Sequence, residues 1–316
     1  MPETLNPKFI KLTEENIIRN VSQEFLSEID YRKLIDINFT FNILPLVCQK
    51  TIPFLLILIH SAPKNFEKRE VIRSTWGRKN FKSQLVFSLG NPEDERVQHR
   101  ILEEAQSFND IIQGSFKDSY KNLTYKHVMS LKYAVYHCDT TKYILKTDDD
   151  VFVNIQYLFD FIDTKISRYG SEKLLMCNSW TGSTVRRSFR SRYRITFEEY
   201  SRKTFPSYCS GWFILYSPDV VYDLYLLAQK SRYFWIDDVF VTGILVENLE
   251  LAHWNIKNLV VSKDRMEKIN EGHCDAGDNN FLLGRPNINV QNVRDLWHCV
   301  DKWSDTKRIN ASRQIR

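Results

Sequence analysis

The sequence has no run of about 20 apolar residues of the kind that crosses a membrane. Its longest apolar stretch, Ile52 to Ile59, contains Pro53 and is bracketed by Thr51 and His60, so it reads as a buried strand. No basic segment followed by an apolar one comes after Met1, and no signal peptide is legible; membrane association is expected only through an anchor not visible here. There is no C-x-x-C pair among Cys48, Cys138, Cys177, Cys209, Cys274 and Cys299, which excludes the usual zinc-finger and redox spacings. An excess of charge is missing too. Lys and Arg number 44 against 39 Asp and Glu, a net +5 that is spread evenly and argues against a nucleic-acid binder. Only 10 glycines, no repeat and no low-complexity tract occur in the 316 residues, so collagen-like, repeat and linker-rich organisations are excluded.

What remains is a globular composition, 43% apolar and 26% charged, able to bury a substantial core. The even cysteine count fits an oxidising compartment. Four N-x-[ST] sequons, at Asn20, Asn38, Asn122 and Asn310, point the same way, and Asn122 is the expected glycosylation site. The pairing of the cysteines is open.

Residues 1–50 mix charge with isolated apolar residues and read as a weakly ordered stem or leader holding a short helix or two. The core domain is expected over 51–305, with 306–316 as a tail. Ile52–Ile59 begins it as a strand buried on both faces of a parallel sheet. A helix over Lys68–Trp76 follows, with Gly77 as its C-cap. Strands at Gln84–Gly90, Asp110–Gln113 and Lys142–Lys146 alternate with helices at Pro92–Phe108 and Ser119–Cys138, which predicts βαβ units and an α/β fold. Lys173–Cys177 and Trp212–Tyr216 read as further strands, and Pro218–Ser231 and Asp237–Leu249 as helices. The last 60 residues or so carry no clear period.

Two acidic clusters stand out. Asp148, Asp149 and Asp150 end an apolar strand, where open α/β sheets bind ligands. Three adjacent carboxylates repel one another, and a hard divalent cation, Mn²⁺ or Mg²⁺, offsets that repulsion and can bridge to a diphosphate. The alternative is a solvated acidic turn. Asp237 and Asp238 start a helix after Tyr233-Phe-Trp-Ile236, an apolar setting that raises a carboxylate's pKa and suits it to base work; the alternative is helix capping. A metal-bound diphosphate leaving group with a separate carboxylate base is the equipment of an inverting sugar transfer.

Four ordered blocks then resemble the β-1,3-galactosyltransferase and β-1,3-N-acetylglucosaminyltransferase family, glycosyltransferase family 31, across about residues 52–300. They are Arg69-Glu-Val-Ile-Arg-Ser-Thr-Trp-Gly77, Lys146-Thr-Asp-Asp-Asp-Val-Phe-Val153, Phe205-Pro-Ser-Tyr-Cys-Ser-Gly-Trp212 and Asp237-Asp-Val-Phe-Val-Thr-Gly243. The resemblance implies a GT-A type fold with a Rossmann-like, mostly parallel central sheet, a UDP-sugar donor and Mn²⁺ or Mg²⁺. It also implies a glycan acceptor on glycoprotein or glycolipid, and residence at the Golgi membrane with a lumenal catalytic domain. By position Asp150 resembles the direct metal ligand, with Asp148 beside it as a second; Asp148 and Asp149 lie near ribose and diphosphate, and Asp238 is the base. Gly211 and Trp212 are expected at the donor, and Tyr208 and Asp237 at the acceptor or pocket wall. Arg69 and Arg73 either bind the UDP or pair with nearby acids, and Trp76 is expected in the core. The expected reaction is β-1,3 transfer of galactose, with N-acetylglucosamine or N-acetylgalactosamine as alternative donors, and an inactive glycan-binding member as the non-enzymatic alternative.

Two departures from the family pattern are visible. Asp237 stands where the block normally has Glu, which keeps the base. The late His that completes the metal site in related enzymes is absent near Leu283-Gly-Arg-Pro286, leaving His253, His273 and His298 as candidates. The basic run Arg186–Arg194 is expected to be a mobile loop over the donor or acceptor.

Overall fold

The residues of Leu55–His60 (β2) are all buried, and each large aliphatic side chain removed from water contributes about 1.5–3 kcal/mol. This strand is the centre of the molecule, a computed structural model that describes residues 10–11, 27–50, 52–274 and 281–314. The central sheet comprises Phe41–Ile43 (β1), β2, Ser83–Asn91 (β3), Ile111–Lys117 (β4), Tyr143–Asp148 (β5), Leu175–Trp180 (β6), Tyr208–Tyr216 (β7) and Trp254–Asn255 (β8). Their spatial order is β8-β6-β7-β5-β2-β3-β4-β1. Pairing is parallel for β5–β2, β2–β3, β3–β4 and β6–β8, and antiparallel around β7 and β1.

Helices cover both faces, giving the expected α/β fold. One face holds Phe66–Ser74 (α1), Glu95–Phe108 (α2), Ile155–Lys165 (α4), Lys263–Asn270 (α8) and Val290–Gln314 (α9). The other holds Leu123–His137 (α3), Pro218–Lys230 (α5), Asp237–Val239 (α6) and Leu245–Asn248 (α7). Local chemistry sets several ends. Asp94 accepts the Arg96 N–H at 2.9 Å before α2, and Asn109 closes that helix in the left-handed region at φ 52°, a conformation Asn tolerates.

The chain leaves β2 toward β3 on one side, while β5 pairs with β2 on the other. This is the strand-order switch at which α/β sheets open a crevice beyond their carboxyl ends. His60 and Asp148 are register partners at that edge, so the loop after β2 and the acidic triplet after β5 meet there.

Several expectations need correction. From Ser27 onward the presumed leader is part of the fold: Phe41–Ile43 pairs antiparallel with β4, Cys48 is bonded to Cys138, and Lys132 Nζ donates to the carbonyls of Asp30 and Lys33 at 2.6 and 2.8 Å. Residues 1–9 and 12–26 lie outside the described residues. α9 runs through the expected tail to Gln314. α1 ends at Ser74, two residues earlier than expected, and Gly77 closes it from beyond, its N–H donating to the Ile72 carbonyl at 2.9 Å; a Cβ there would stand 2.7 Å from Ile72 Cγ2, so close packing demands the glycine. The segment 237–249 is helical as expected, but Phe240–Ile244 widens into a π turn, a feature common at functional sites. The basic run is tied down, because Arg187 donates to the carbonyls of Ile195, Thr196, Tyr200 and Arg202. Cys177–Cys209 and Cys274–Cys299 complete the disulfides, and no free cysteine remains among the described residues. Among those residues no helix is long and apolar enough to cross a membrane.

Candidate active site

The triplet divides into three environments. Asp148 is held by Lys146, whose Nζ donates to Asp148 Oδ1 at 2.8 Å and to the Gly211 carbonyl at 2.5 Å. Burial pushes the Asp148 carboxyl up to about 6, against the pull of Lys146. Asp149 is buried and bound on both oxygens: Oδ2 accepts from Ser61 Oγ at 2.8 Å and Asn65 Nδ2 at 2.7 Å, and Oδ1 from Lys68 Nζ at 3.1 Å. It therefore anchors the β2 loop, while Oδ1 holds only one donor and keeps acceptor capacity. Asp150 stays partly exposed, with Lys68 Nζ 3.6 Å from Oδ2.

The second acidic pair arrives from the other side of β7. Asp237 Oδ2 lies 3.3 Å from His127 Nδ1, and His127 Nε2 lies 3.2 Å from the Tyr216 hydroxyl. Burial opposes the charge on Asp237, but the His127 hydrogen bond and Lys146 hold its pKa below the ordinary value. Burial, against the pull of the Asp237 hydrogen bond, lowers the pKa of His127; in the Nδ1–H tautomer the ring donates to the carboxylate and Nε2 accepts from tyrosine. Asp238 behaves oppositely. Desolvation first, and then the charge of Asp237, raise its pKa well above the usual carboxylate range. This splitting of two adjacent carboxyls is the pattern that marks an acid–base site.

Gly211 explains how Asp238 is placed. Its N–H donates to Asp238 Oδ2 at 3.0 Å, and a Cβ at this position would lie 2.0 Å from Asp238 Oδ1. Thr242 fastens the helix start, donating to the Asp238 carbonyl at 2.5 Å while accepting the Cys209 N–H at 2.9 Å. Gly211→Ala is expected to push the carboxylate aside and lower kcat by about 10²-fold, the scale of a misplacement near 1 Å. Steady-state kinetics with UDP affinity as control checks this.

The other expected residues divide. Tyr208 opens β7 opposite Trp180 and packs against Phe205, beside the Asp238 helix. Trp212 is half-buried against the core next to the triplet, and its carbonyl accepts from Thr147 Oγ1 at 2.7 Å. Trp76 is core, as expected. Arg69 and Arg73 take the structural alternative. Arg69 is fully buried and forks onto Glu104, while Arg73 pairs with Glu104 and Asp110, so neither is presented to a nucleotide. Asn122 Nδ2 donates to the Lys117 carbonyl at 2.8 Å, and the sequon's Thr124 is buried with its hydroxyl on the Phe234 carbonyl.

The histidine candidates do not join the triplet in a metal site. His253 Nε2 donates to the Thr242 carbonyl at 2.7 Å, and His273 and His298 are exposed on and beyond the outer helices. The segment where the family's His was expected does reach the site: Gly284 N–H donates to the Phe152 carbonyl and Ile288 N–H to the Asp150 carbonyl. Among the described residues no three His, Cys, Asp or Glu side chains converge as a metal cluster. The donor set that is present, the carboxylates of Asp148 and Asp150, fits a hard cation that completes its sphere with water and phosphate oxygens. Lys68, Lys146, Asn65 and His127 were missed in the sequence. Lys146 precedes the triplet by only two residues and was the most findable of them.

The galactosyltransferase family profile matches residues 67–257. The chain belongs to that family. Human β-1,3-galactosyltransferase 1 is 34% identical over 223 residues, covering 67% of this chain and 68% of that protein. Human lactosylceramide 1,3-N-acetyl-β-D-glucosaminyltransferase is 33% identical over 205 residues, covering 61% and 54%. Among solved structures, the galactosyltransferase LgtC in complex with donor and acceptor sugar analogues overlaps with a TM-score of 0.35 at 10% identity, over 73% of this chain and 86% of that one. Membership makes this galactosyltransferase-family chain a glycosyltransferase, with a sugar donor and a glycan acceptor as its substrates.

Proposed function

We propose that the chain is an inverting β-1,3-galactosyltransferase. It moves galactose from UDP-galactose to a hydroxyl of a glycan carried on protein or lipid. The observation that carries this is geometric: Asp238 is set against the Gly211 N–H across from the acidic triplet, beside Asp237, which faces His127. Asp238 takes the acceptor hydroxyl's proton as its oxygen forms a bond to the anomeric carbon, and the bond from that carbon to the diphosphate breaks with its electron pair leaving on UDP. Gly211 and Thr242 orient the base; Lys146 ties Asp148 to the strand that carries Gly211. Asp148 and Asp150 would hold Mn²⁺ or Mg²⁺, which supplies positive charge for the departing diphosphate.

The similarity to human β-1,3-galactosyltransferase 1 supports galactose as the donor sugar, and the lactosylceramide enzyme supports N-acetylglucosamine as the second reading. Three disulfides support a lumenal, oxidising site of action such as the Golgi.

The test is a transfer assay with UDP-galactose, UDP-N-acetylglucosamine and UDP-N-acetylgalactosamine against a panel of glycan acceptors in Mn²⁺. The expected result is highest kcat/KM with UDP-galactose and a β-1,3 product. Preference for another donor reassigns the sugar. Absence of both transfer and UDP binding overturns the reading.

A pH prediction follows from the carboxyl pair. Asp238 works only when deprotonated, so kcat/KM rises with pH through its raised pKa. Removing the neighbouring charge with Asp237→Asn lowers that pKa and moves the acid limb to lower pH. A limb that stays in place would separate Asp238 from the rate.

A further inference from the structure

Lys68 lies in the first turn of α1, just after the loop that leaves β2, with its ammonium against the triplet. Nζ is 3.1 Å from Asp149 Oδ1 and 3.6 Å from Asp150 Oδ2. The side chain is 30% exposed, so it is neither a core cation like Arg69 nor a free surface lysine. Asp149 is an anchor, because its other oxygen is already taken by Ser61 and Asn65. An ammonium has three N–H donors, and the contact with Asp149 uses one. At 3.6 Å the contact with Asp150 is beyond hydrogen-bond length and is held by charge. Asp149 thus aims Lys68 at the open end of the crevice beside Asp150, the carboxylate that fits a metal.

Resting on the reading of this crevice as a UDP-sugar site, we propose that Lys68 binds the leaving diphosphate and carries part of the charge that a metal ion on Asp150 would otherwise neutralise alone. A flexible four-carbon stem lets the ammonium turn from Asp150 to a phosphate oxygen without losing Asp149. Charge-assisted contacts to phosphate are among the stronger hydrogen bonds, and they strengthen as the anomeric bond breaks. Before a donor binds, Lys68 neutralises Asp150 and so competes with a divalent cation for it. Once a diphosphate is present, the two cations act on the same group. Lys68 therefore has opposite effects on nucleotide and on metal.

That opposition is the test. UDP binding to the full chain is measured by calorimetry in EDTA and in Mn²⁺ for wild type, Lys68→Met and Lys68→Arg, and Mn²⁺ alone is titrated by electron paramagnetic resonance. Lys68→Met is expected to weaken UDP binding in EDTA by about tenfold or more, the worth of one charged hydrogen bond, with a smaller loss in Mn²⁺. Lys68→Arg restores most of the affinity. In the Mn²⁺ titration without UDP, Lys68→Met binds the ion more tightly than wild type. Unchanged UDP affinity in Lys68→Met overturns the proposal, as does Mn²⁺ affinity falling together with UDP affinity, which marks a structural role. Wild type that binds UDP in Mn²⁺ but not in EDTA also overturns it and leaves the transferase reading standing. Wild type that binds UDP in neither condition overturns both.

Discussion

Asp238→Asn is expected to cut transfer turnover by about 10³-fold, within the range for loss of a positioned base, while leaving UDP affinity within about twofold. The substitution is isosteric, and the amide oxygen can still accept the Gly211 N–H that the carboxylate now accepts at 3.0 Å. What disappears is the ability to take a proton. The sign of the stability change separates this from misfolding. A carboxyl whose folded-state pKa lies above its unfolded value disfavours the fold once pH exceeds the unfolded pKa, because folding then has to desolvate its charge. Asp238 is such a group, raised first by burial and then by Asp237. Asp238→Asn should therefore be as stable as wild type, or more stable, at neutral pH. Dead and stable is the signature of a residue kept for chemistry at the fold's expense. Normal turnover would remove Asp238 from the mechanism, and a lower melting temperature with lost UDP binding would make it structural.

The parts of this site that were legible in sequence are those encoded within a few residues. The buried run of β2, the strand leading into Asp148, and the aromatic approach to Asp237 each carry their own pattern, which puts the triplet at a strand end and the second pair at a helix start. The partners of those clusters were not legible, since they come from far along the chain. His127 reaches Asp237 across 110 residues and Asp149 meets Asn65 across 84, and nothing in local periodicity encodes such contacts. Charge type alone could not decide between a nucleotide and Glu104 for Arg69, because a guanidinium fork suits both. At the termini the failure was different. β1 spans only three residues, too short for alternation to register, and α9 mixes charge with apolar residues so that its period is diluted. The same locality explains Lys68: the sequence places it only at the start of a helix, and the fold alone brings the triplet to it.

Arg69 carries the largest expected effect on stability. Its guanidinium is fully buried and donates through Nε and Nη2 to Glu104 at 2.6 to 3.1 Å, through Nη1 to Ser61 Oγ and the Ala62 carbonyl, and through Nη2 to the Pro63 carbonyl. Glu104 is itself nearly buried and shared with Arg73. Arg69→Met leaves that carboxylate with one partner and takes the guanidinium donor from the Pro63 carbonyl, so the expected cost is about 3–5 kcal/mol in urea unfolding, the range for breaking a buried pair from one side. Arg69→Met with Glu104→Gln should recover part of it, because the uncompensated charge is gone; a double variant as unstable as the sum of the singles would mean that the two do not interact. The pH dependence has a definite sign. Burial opposes the charge on Glu104, yet hydrogen bonds from Arg69 and Arg73 hold its pKa below the ordinary value. Its stabilising contribution is thus present above the usual carboxylate range and is lost as pH falls through the lowered value. Arg69→Met raises that value, so acid unfolding begins at higher pH than in wild type. The consequence also reaches the site, because Ser61, which receives Arg69, donates in turn to Asp149 at 2.8 Å. An arginine that never touches the nucleotide therefore fixes the anchor that aims Lys68, and Arg69→Met should weaken UDP binding even under conditions where the chain remains folded.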